Sequence, residues 1–348
     1  MSNLKVSDIP IKKEYLVEKY TRKKDLPRSI RLEACSICQL NCKVCYMRLN
    51  PEAVKNGCGS GMLSFENFKK LVDTNNFERI ELSNQGEIFL NPELPQIIKY
   101  AYEKNIKLTA ATGVNFNYLS DEQAEAMVKY DFDTFTVSLD GASQETYVQY
   151  RQNGDFDKVI NNVKKINYYK KKYNKKSPYI VWKFIIFGHN EHEIKKAKHD
   201  AKKLGFDELI FDVSYENEFS PLRNPNMVRK ETGINHLDIN ASPAIQLAEF
   251  KKGVVDWYYC NFLWEAPQIN WDGQILGCCE NYKDNFGTTD FTENIKDILN
   301  NPKIIYAKNM LTGKAPALEG IPCSSCYVYK AMQKENIWLD SPRNIKNI

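Results

Sequence analysis

Cys38, Cys42 and Cys45 have the spacing C-x3-C-x2-C and are followed by the aromatic Tyr46. Three thiolates can hold three irons of a [4Fe–4S] cube and leave the fourth iron without a protein ligand. An iron left open in this way can bind and cleave a small molecule, whereas a cube held by four cysteines mainly passes electrons. The competing reading is a zinc knuckle, but zinc favours paired C-x2-C hooks and four ligands. The chain has ten cysteines among its 348 residues. Five lie between Cys35 and Cys58, five between Cys260 and Cys326, and none between the two groups. Two separate metal centres are the simplest reading. With four histidines, a His-rich zinc or non-haem iron site is not expected.

The elements that must position these thiols follow from hydrophobic patterning. From Arg28 onward, short β-branched runs alternate with helical patterns. Strands are expected at Ser29–Ala34, Arg79–Ser83, Lys107–Ala111, Thr134–Ser138, Ile180–Phe187 and Glu208–Asp212. Amphipathic helices are expected at Ser64–Thr74, Pro92–Lys104, Asp121–Lys129, Asp157–Tyr173 and Glu191–Leu204. In Asp157–Tyr173, Val159, Ile160, Val163 and Ile166 share one face, with lysines outside. Such alternation implies a parallel sheet with right-handed crossovers. In (β/α) barrels, chemistry lies at the C-terminal ends of strands. Cys38–Cys45 follows the first strand, Asn84–Glu87 the second, Ser138–Gly141 the fourth, and Asp212 ends the sixth, so all point to one mouth. Residues 214–258 lose the pattern at Ser220-Pro221, Asn224-Pro225 and Ser242-Pro243 and read as a linker. Beyond it, two short strands meet at Asp272-Gly273, a hairpin signal. A helix near Ile295–Asn300 and a late C-x2-C, Cys323 and Cys326, complete a small domain.

The cysteine run and its trailing Tyr46 resemble the radical S-adenosylmethionine (SAM) superfamily. That resemblance implies a partial (β/α)6 TIM-like barrel over residues 28–213, followed by a small α+β iron–sulfur domain with a β-hairpin over 259–348. It implies that the open iron chelates SAM and that reductive cleavage gives a 5′-deoxyadenosyl radical. Asn84-Gln85-Gly86-Glu87 with the tail Leu90-Asn91-Pro92 resembles the family's G-G-E-P element, with Gln85 and Ile88 departing from it. Gly86 and Glu87 would then meet the SAM amino group. Ser138, Asp140 and Arg151 resemble the ribose and carboxylate contacts, the arginine offering a bidentate fork. Tyr46 belongs to the same expected cofactor set. Gly188-His189-Asn190 ends the fifth strand, where the family often lines the adenine. Cys260, the Gly273-x4-Cys278 element, Cys323 and Cys326 resemble the SPASM or twitch appendage. They would hold one auxiliary [4Fe–4S] cluster, with tetrahedral zinc on the same thiolates as the alternative. Cys279 is spare and is a candidate hydrogen-atom donor. Cys35 and Cys58 read as packed or loop thiols.

Composition bounds partners and compartment. The net charge of +4 balances 48 basic against 44 acidic residues, so nucleic acid is not implied. No apolar run reaches membrane-spanning length, and Lys5, Asp8, Lys12, Lys13 and Glu14 interrupt any signal-peptide core. A cytoplasmic location is expected, and the resemblance implies an enzyme served by a low-potential electron donor of flavodoxin or ferredoxin type. Peptide-modifying members of the family that the chain resembles often carry an N-terminal peptide-recognition domain; fewer than about thirty residues precede the first strand here, so the resemblance implies a small-molecule substrate such as a sugar or amino sugar. A peptide or protein substrate is the alternative. A non-catalytic iron–sulfur or zinc protein is the reading from another class.

Overall fold

The structure, a computed structural model, describes residues 26–213, 219–234, 260, 262–336 and 338. The expected N-terminal extension up to residue 25 and most of the linker lie outside the described residues. Six strands stand where the patterning predicts: β1 (Ser29–Leu32), β2 (Arg79–Glu81), β3 (Lys107–Val114), β4 (Thr134–Ser138), β5 (Tyr179–Ile186) and β6 (Glu208–Val213). Each pairs in parallel with the next. A seventh strand, β7 (Gln268–Ile269), pairs in parallel with β1, so the sheet order is β6-β5-β4-β3-β2-β1-β7. The sheet is open and forms the partial barrel expected.

Period-two alternation divides the strand residues between two faces. On β5, Trp182, Phe184 and Ile186 are buried, while Lys183 between them is part-exposed. Ile30 and Leu32 on β1, Ile80 on β2 and Phe135 and Val137 on β4 join the same apolar core. Each such side chain contributes roughly 1.5–3 kcal/mol on burial. The opposite face is polar. Arg31 on β1 donates from Nη1 to Asn84 Oδ1 at 2.8 Å and to Thr112 Oγ1 at 2.9 Å. Lys183 pairs with Asp212 at 3.1 Å across β5 and β6.

The intervening helices start where their caps are. Ser64 accepts from Asn67 N ahead of Phe65–Thr74, and Ser120 forms a capping box with Gln123 ahead of Asp121–Lys129. Asp155 accepts from Lys158 N at the start of Phe156–Tyr173. Each such cap stabilises its helix by about 0.5–2 kcal/mol. Further helices arise at Gln144–Tyr150, Pro225–Thr232, Pro302–Leu311 and Tyr327–Glu335. The Pro225–Thr232 helix falls within the stretch read as a linker.

The expected hairpin forms, in a way the pattern did not reveal. Asn270 N donates to Gln274 O at 2.8 Å and Gly273 N to Asn270 O at 3.0 Å, so the chain reverses at Asp272-Gly273. Gly273 has φ of +87°, a conformation glycine adopts without strain. The first arm is β7 itself, so the C-terminal segment is stitched to the barrel through β1. Among the described residues, no helix is long and apolar enough to cross a membrane.

Candidate active site

Two cavities carry the two groups of thiols. The first, about 470 Å³, opens at the C-terminal ends of the strands and is lined by Cys38, Cys42, Cys45, Gly86, Ser138 and Arg151, with Asn84, Gln85 and Lys183 beside them. The cysteine loop is seated by backbone bonds on both sides. Ser36 exchanges bonds with Gly61, its amide donating to Gly61 O at 3.0 Å and its hydroxyl accepting from Gly61 N at 2.9 Å. Asn41 N donates to Gln152 O and Lys43 N to Tyr150 O, which ties the loop to the end of helix Gln144–Tyr150. Asn115, at the end of β3, donates from Nδ2 to Cys38 Sγ at 3.4 Å and to Gln39 Oε1 at 3.1 Å. Asn115 is buried and was not singled out from sequence. Its place at a strand's C-terminal end is the signal that marks it.

Arg151 and Asp140 act as a pair. Arg151 Nε lies 2.5 Å from Asp140 Oδ2, and its Nη1 lies 3.7 Å from Cys42 Sγ. Asp140 is fully buried and its other oxygen accepts from Ile185 N at 2.7 Å. Asp140 therefore orients the arginine and lies behind the cavity wall, while Arg151 is part of that wall. The guanidinium keeps donors beyond these two contacts. Ser138 lines the cavity with its hydroxyl near Gly113, where a Cβ would crowd it.

Gly86 and Glu87 have defined structural duties. A Cβ on Gly86 would overlap the Cys35 carbonyl oxygen, so the loop after β2 packs directly on the cysteine loop. Glu87 is fully buried and accepts from Asn115 N at 2.6 Å and from Phe89 N and Phe116 N at 3.3 Å. Burial pushes its carboxyl up to about 7, against the lowering effect of those amides. Glu33, unread in the sequence, accepts from Gln85 N at 2.9 Å, and burial pushes it up to about 8. Two buried carboxylates thus hold the loops around the cavity.

The second cavity, about 310 Å³, is lined by Cys260, Cys278, Cys323 and Cys326. Burial pushes the Cys260 thiol up to about 12, and Cys278 and Cys323 upward too, with neighbouring thiols adding to the rise. Buried thiols crowded in this way become thiolates when a metal takes the place of their protons. Tyr46, expected at the first cavity, lines this second one instead. Its ring stacks on Tyr282, with centroids 4.3 Å apart and planes 20° apart. Cys279 is in the wall of neither cavity. Burial raises its thiol, while Arg31 pulls it down and Glu280 and Glu81 add to the rise. Cys35 and Cys58 are fully buried, each pushed up to about 11 by burial. His189 stacks on Phe187 at 5.3 Å.

The donor sets fit iron–sulfur groups. Three soft thiols share the first cavity with a cationic fork, and four share the second. Among the described residues, no three His, Cys, Asp or Glu side chains stand close enough to hold a single ion. A cubane keeps each thiolate on its own iron and so spaces the sulfurs more widely than one tetrahedral zinc does.

Comparison with known proteins agrees. The family model for the radical SAM superfamily matches residues 32–201. The chain is 22% identical over 332 residues to the antilisterial bacteriocin subtilosin biosynthesis protein AlbA of Bacillus subtilis strain 168, covering 87% of this chain and 68% of that protein. Its fold resembles Streptococcus suis SuiB bound to S-adenosylmethionine, with a TM-score of 0.59 and 15% identity over 88% of this chain and 72% of that one. SuiB bound to the precursor peptide SuiA superposes with a TM-score of 0.56 and 13% identity, over 88% and 71%. The structure of anSMEcpe with bound AdoMet and Cp18Cys peptide gives 0.52 and 15% identity, over 88% and 96%. Residues 32–201 form a radical SAM domain, the domain of an enzyme whose cofactors are SAM and a [4Fe–4S] cluster.

Proposed function

We propose that this enzyme modifies a peptide, with Cys38, Cys42 and Cys45 holding the SAM-binding cluster and Cys260, Cys278, Cys323 and Cys326 holding an auxiliary [4Fe–4S] cluster. The observation that carries the metal assignment is the separation of the thiols into two cavities, three in one and four in the other. When bound, the first cluster and SAM supply a radical that abstracts hydrogen from an unactivated carbon. The chain's own residues bind and orient. Arg151, fixed by Asp140, offers its remaining donors to the SAM carboxylate, and Ser138 offers a hydroxyl to the ribose. Gly86 lets the following loop close against the cysteine loop. Asn115 donates to Cys38 Sγ, which stabilises a thiolate there. The core barrel spans 28–213 and the second-cluster segment 259–348, joined by residues 214–258. A low-potential donor of flavodoxin or ferredoxin type supplies the electron.

The expectation of a small-molecule substrate finds no support in the three relatives named above. AlbA is named for bacteriocin biosynthesis, and both SuiB and anSMEcpe are captured with peptides. The peptide alternative therefore takes its place. The barrel interior agrees with a substrate bearing polar backbone, since Arg31, Thr112, Lys183 and Asp212 all offer hydrogen-bonding groups there. The test uses anaerobically reconstituted protein, a chemical reductant and SAM, with 5′-deoxyadenosine as readout. Size-fractionated extract of the source cells should stimulate its release, and protease treatment of the extract should abolish the stimulation. Stimulation that survives protease and resides in the smallest solutes would return the small-molecule reading.

A further inference from the structure

Tyr46 belongs by sequence to the first site and by its side chain to the second. Its backbone follows Cys45 directly, at the start of helix Tyr46–Leu49. Its ring lies in the wall of the second cavity together with Cys260, Cys278, Cys323 and Cys326. The phenol oxygen is buried and has no hydrogen-bond partner among the described residues. A buried hydroxyl left unpaired costs about 1–3 kcal/mol, so its partner is expected to be something the described residues do not supply. The ring is held in place by the Tyr282 stack, and the Lys283 ammonium sits 5.9 Å over its face. Tyr282 is fixed in turn, because its carbonyl accepts from Cys58 N at 3.1 Å.

We propose that the Tyr46 hydroxyl donates a hydrogen bond to a sulfur of the iron–sulfur group held by Cys260, Cys278, Cys323 and Cys326, and so sets its reduction potential. This rests on the second-cluster reading above. Hydrogen bonds to cluster sulfurs are among the means by which proteins tune such potentials. A donor stabilises the more negative, reduced form and raises the midpoint. Because Tyr46 directly follows Cys45, a movement of the first cysteine loop would displace this donor and carry a change at one site to the other.

Tyr46→Phe removes the hydroxyl and keeps the ring and its stack. The comparison is made in full-length protein carrying Cys38→Ala, Cys42→Ala and Cys45→Ala, so that only the second group is seen. An EPR-monitored redox titration should find the midpoint of the Tyr46→Phe form moved to more negative potential, at equal iron content. Electron–nuclear double resonance after exchange into heavy water should lose one exchangeable proton coupling in the same variant. Equal midpoints and an unchanged proton coupling, with iron present, would overturn this inference and leave the second cluster standing. Absence of iron from the Cys38/Cys42/Cys45 background would overturn both.

Discussion

Arg151 and Asp140 are bound to each other before any cofactor arrives, and Asp140 has no exposure to water. Removing the arginine therefore does more than delete a ligand contact. It leaves a buried carboxylate unpaired, a change that typically costs about 3–5 kcal/mol. Arg151→Ala is expected to lower the unfolding free energy from urea titration by that order as well as weakening SAM, and Asp140→Asn placed on top should recover part of the stability. An unaltered midpoint in Arg151→Ala would mean that the pair contributes nothing to the fold. Glu33 makes a second prediction. Its ordinary value of about 4.5 rises to about 8 in the fold, because burial outweighs the donors Gly86 N and Gln85 N. Between those values the folded state keeps a proton that the unfolded state has lost. The stability from this group is fully present below about pH 4.5 and is lost as pH rises towards about 8. A tenfold difference in proton affinity between the two states corresponds to about 1.4 kcal/mol. Glu33→Gln cannot titrate, so its urea midpoint should fall less steeply over that window than the wild type's, and an identical slope would sink the assignment. At this scale the sequence named Arg151 and Asp140 together and missed what joins them. Side-chain pairing across a barrel wall leaves no periodic trace in the chain. Tyr46 shows the same limit: its place beside Cys45 is legible, and the cavity its ring enters is not.

Strands and amphipathic helices were legible because each has one buried face. Thr134–Ser138 and Asp121–Lys129 stand with the bounds the periodicity predicts. Helix Pro302–Leu311 escaped because every residue from Ile304 to Leu311 is buried, so it has no polar stripe to set the period. The pairing of β7 with β1 escaped because two residues carry no alternation and the partner strand is remote in sequence. The turn that follows β7 clamps the segment after the cysteine loop. Asn270 Nδ2 donates to Cys58 O at 2.7 Å and Trp271 Nε1 to the same oxygen at 3.1 Å. Gly57 lies at this junction, where a Cβ would overlap the Tyr282 carbonyl. Gly57→Ala should push the Tyr282 loop away and cost about 1–3 kcal/mol, the usual range for overpacking. Chemical denaturation checks the loss. A Gly57→Ala protein as stable as wild type would show that the two segments are not closely packed.

The whole molecule is a polar-lined partial barrel whose C-terminal segment returns to its first strand. That return joins the two thiol cavities through Tyr46, which follows Cys45 of the first and lines the second beside Tyr282, and it makes metal content a test of the complete architecture. Anaerobically reconstituted protein should carry about eight irons, four for each cubane. Replacing Cys38, Cys42 and Cys45 by Ala should leave about four, because the apolar core around Ile30, Leu32, Phe135 and Trp182 contains none of them. Replacing Cys260, Cys278, Cys323 and Cys326 should remove the other four or so. That second variant carries a larger structural risk, since Cys260, Cys323 and Cys326 pack against the main core. Circular dichroism on each variant separates metal loss from unfolding. Iron and zinc measured together decide between the readings. About four irons and one zinc in the wild type would replace the auxiliary cluster with a structural ion and leave the SAM-binding cluster untouched. About eight irons that fall by half in the first variant, with its fold retained, would establish that the two thiol groups load independently.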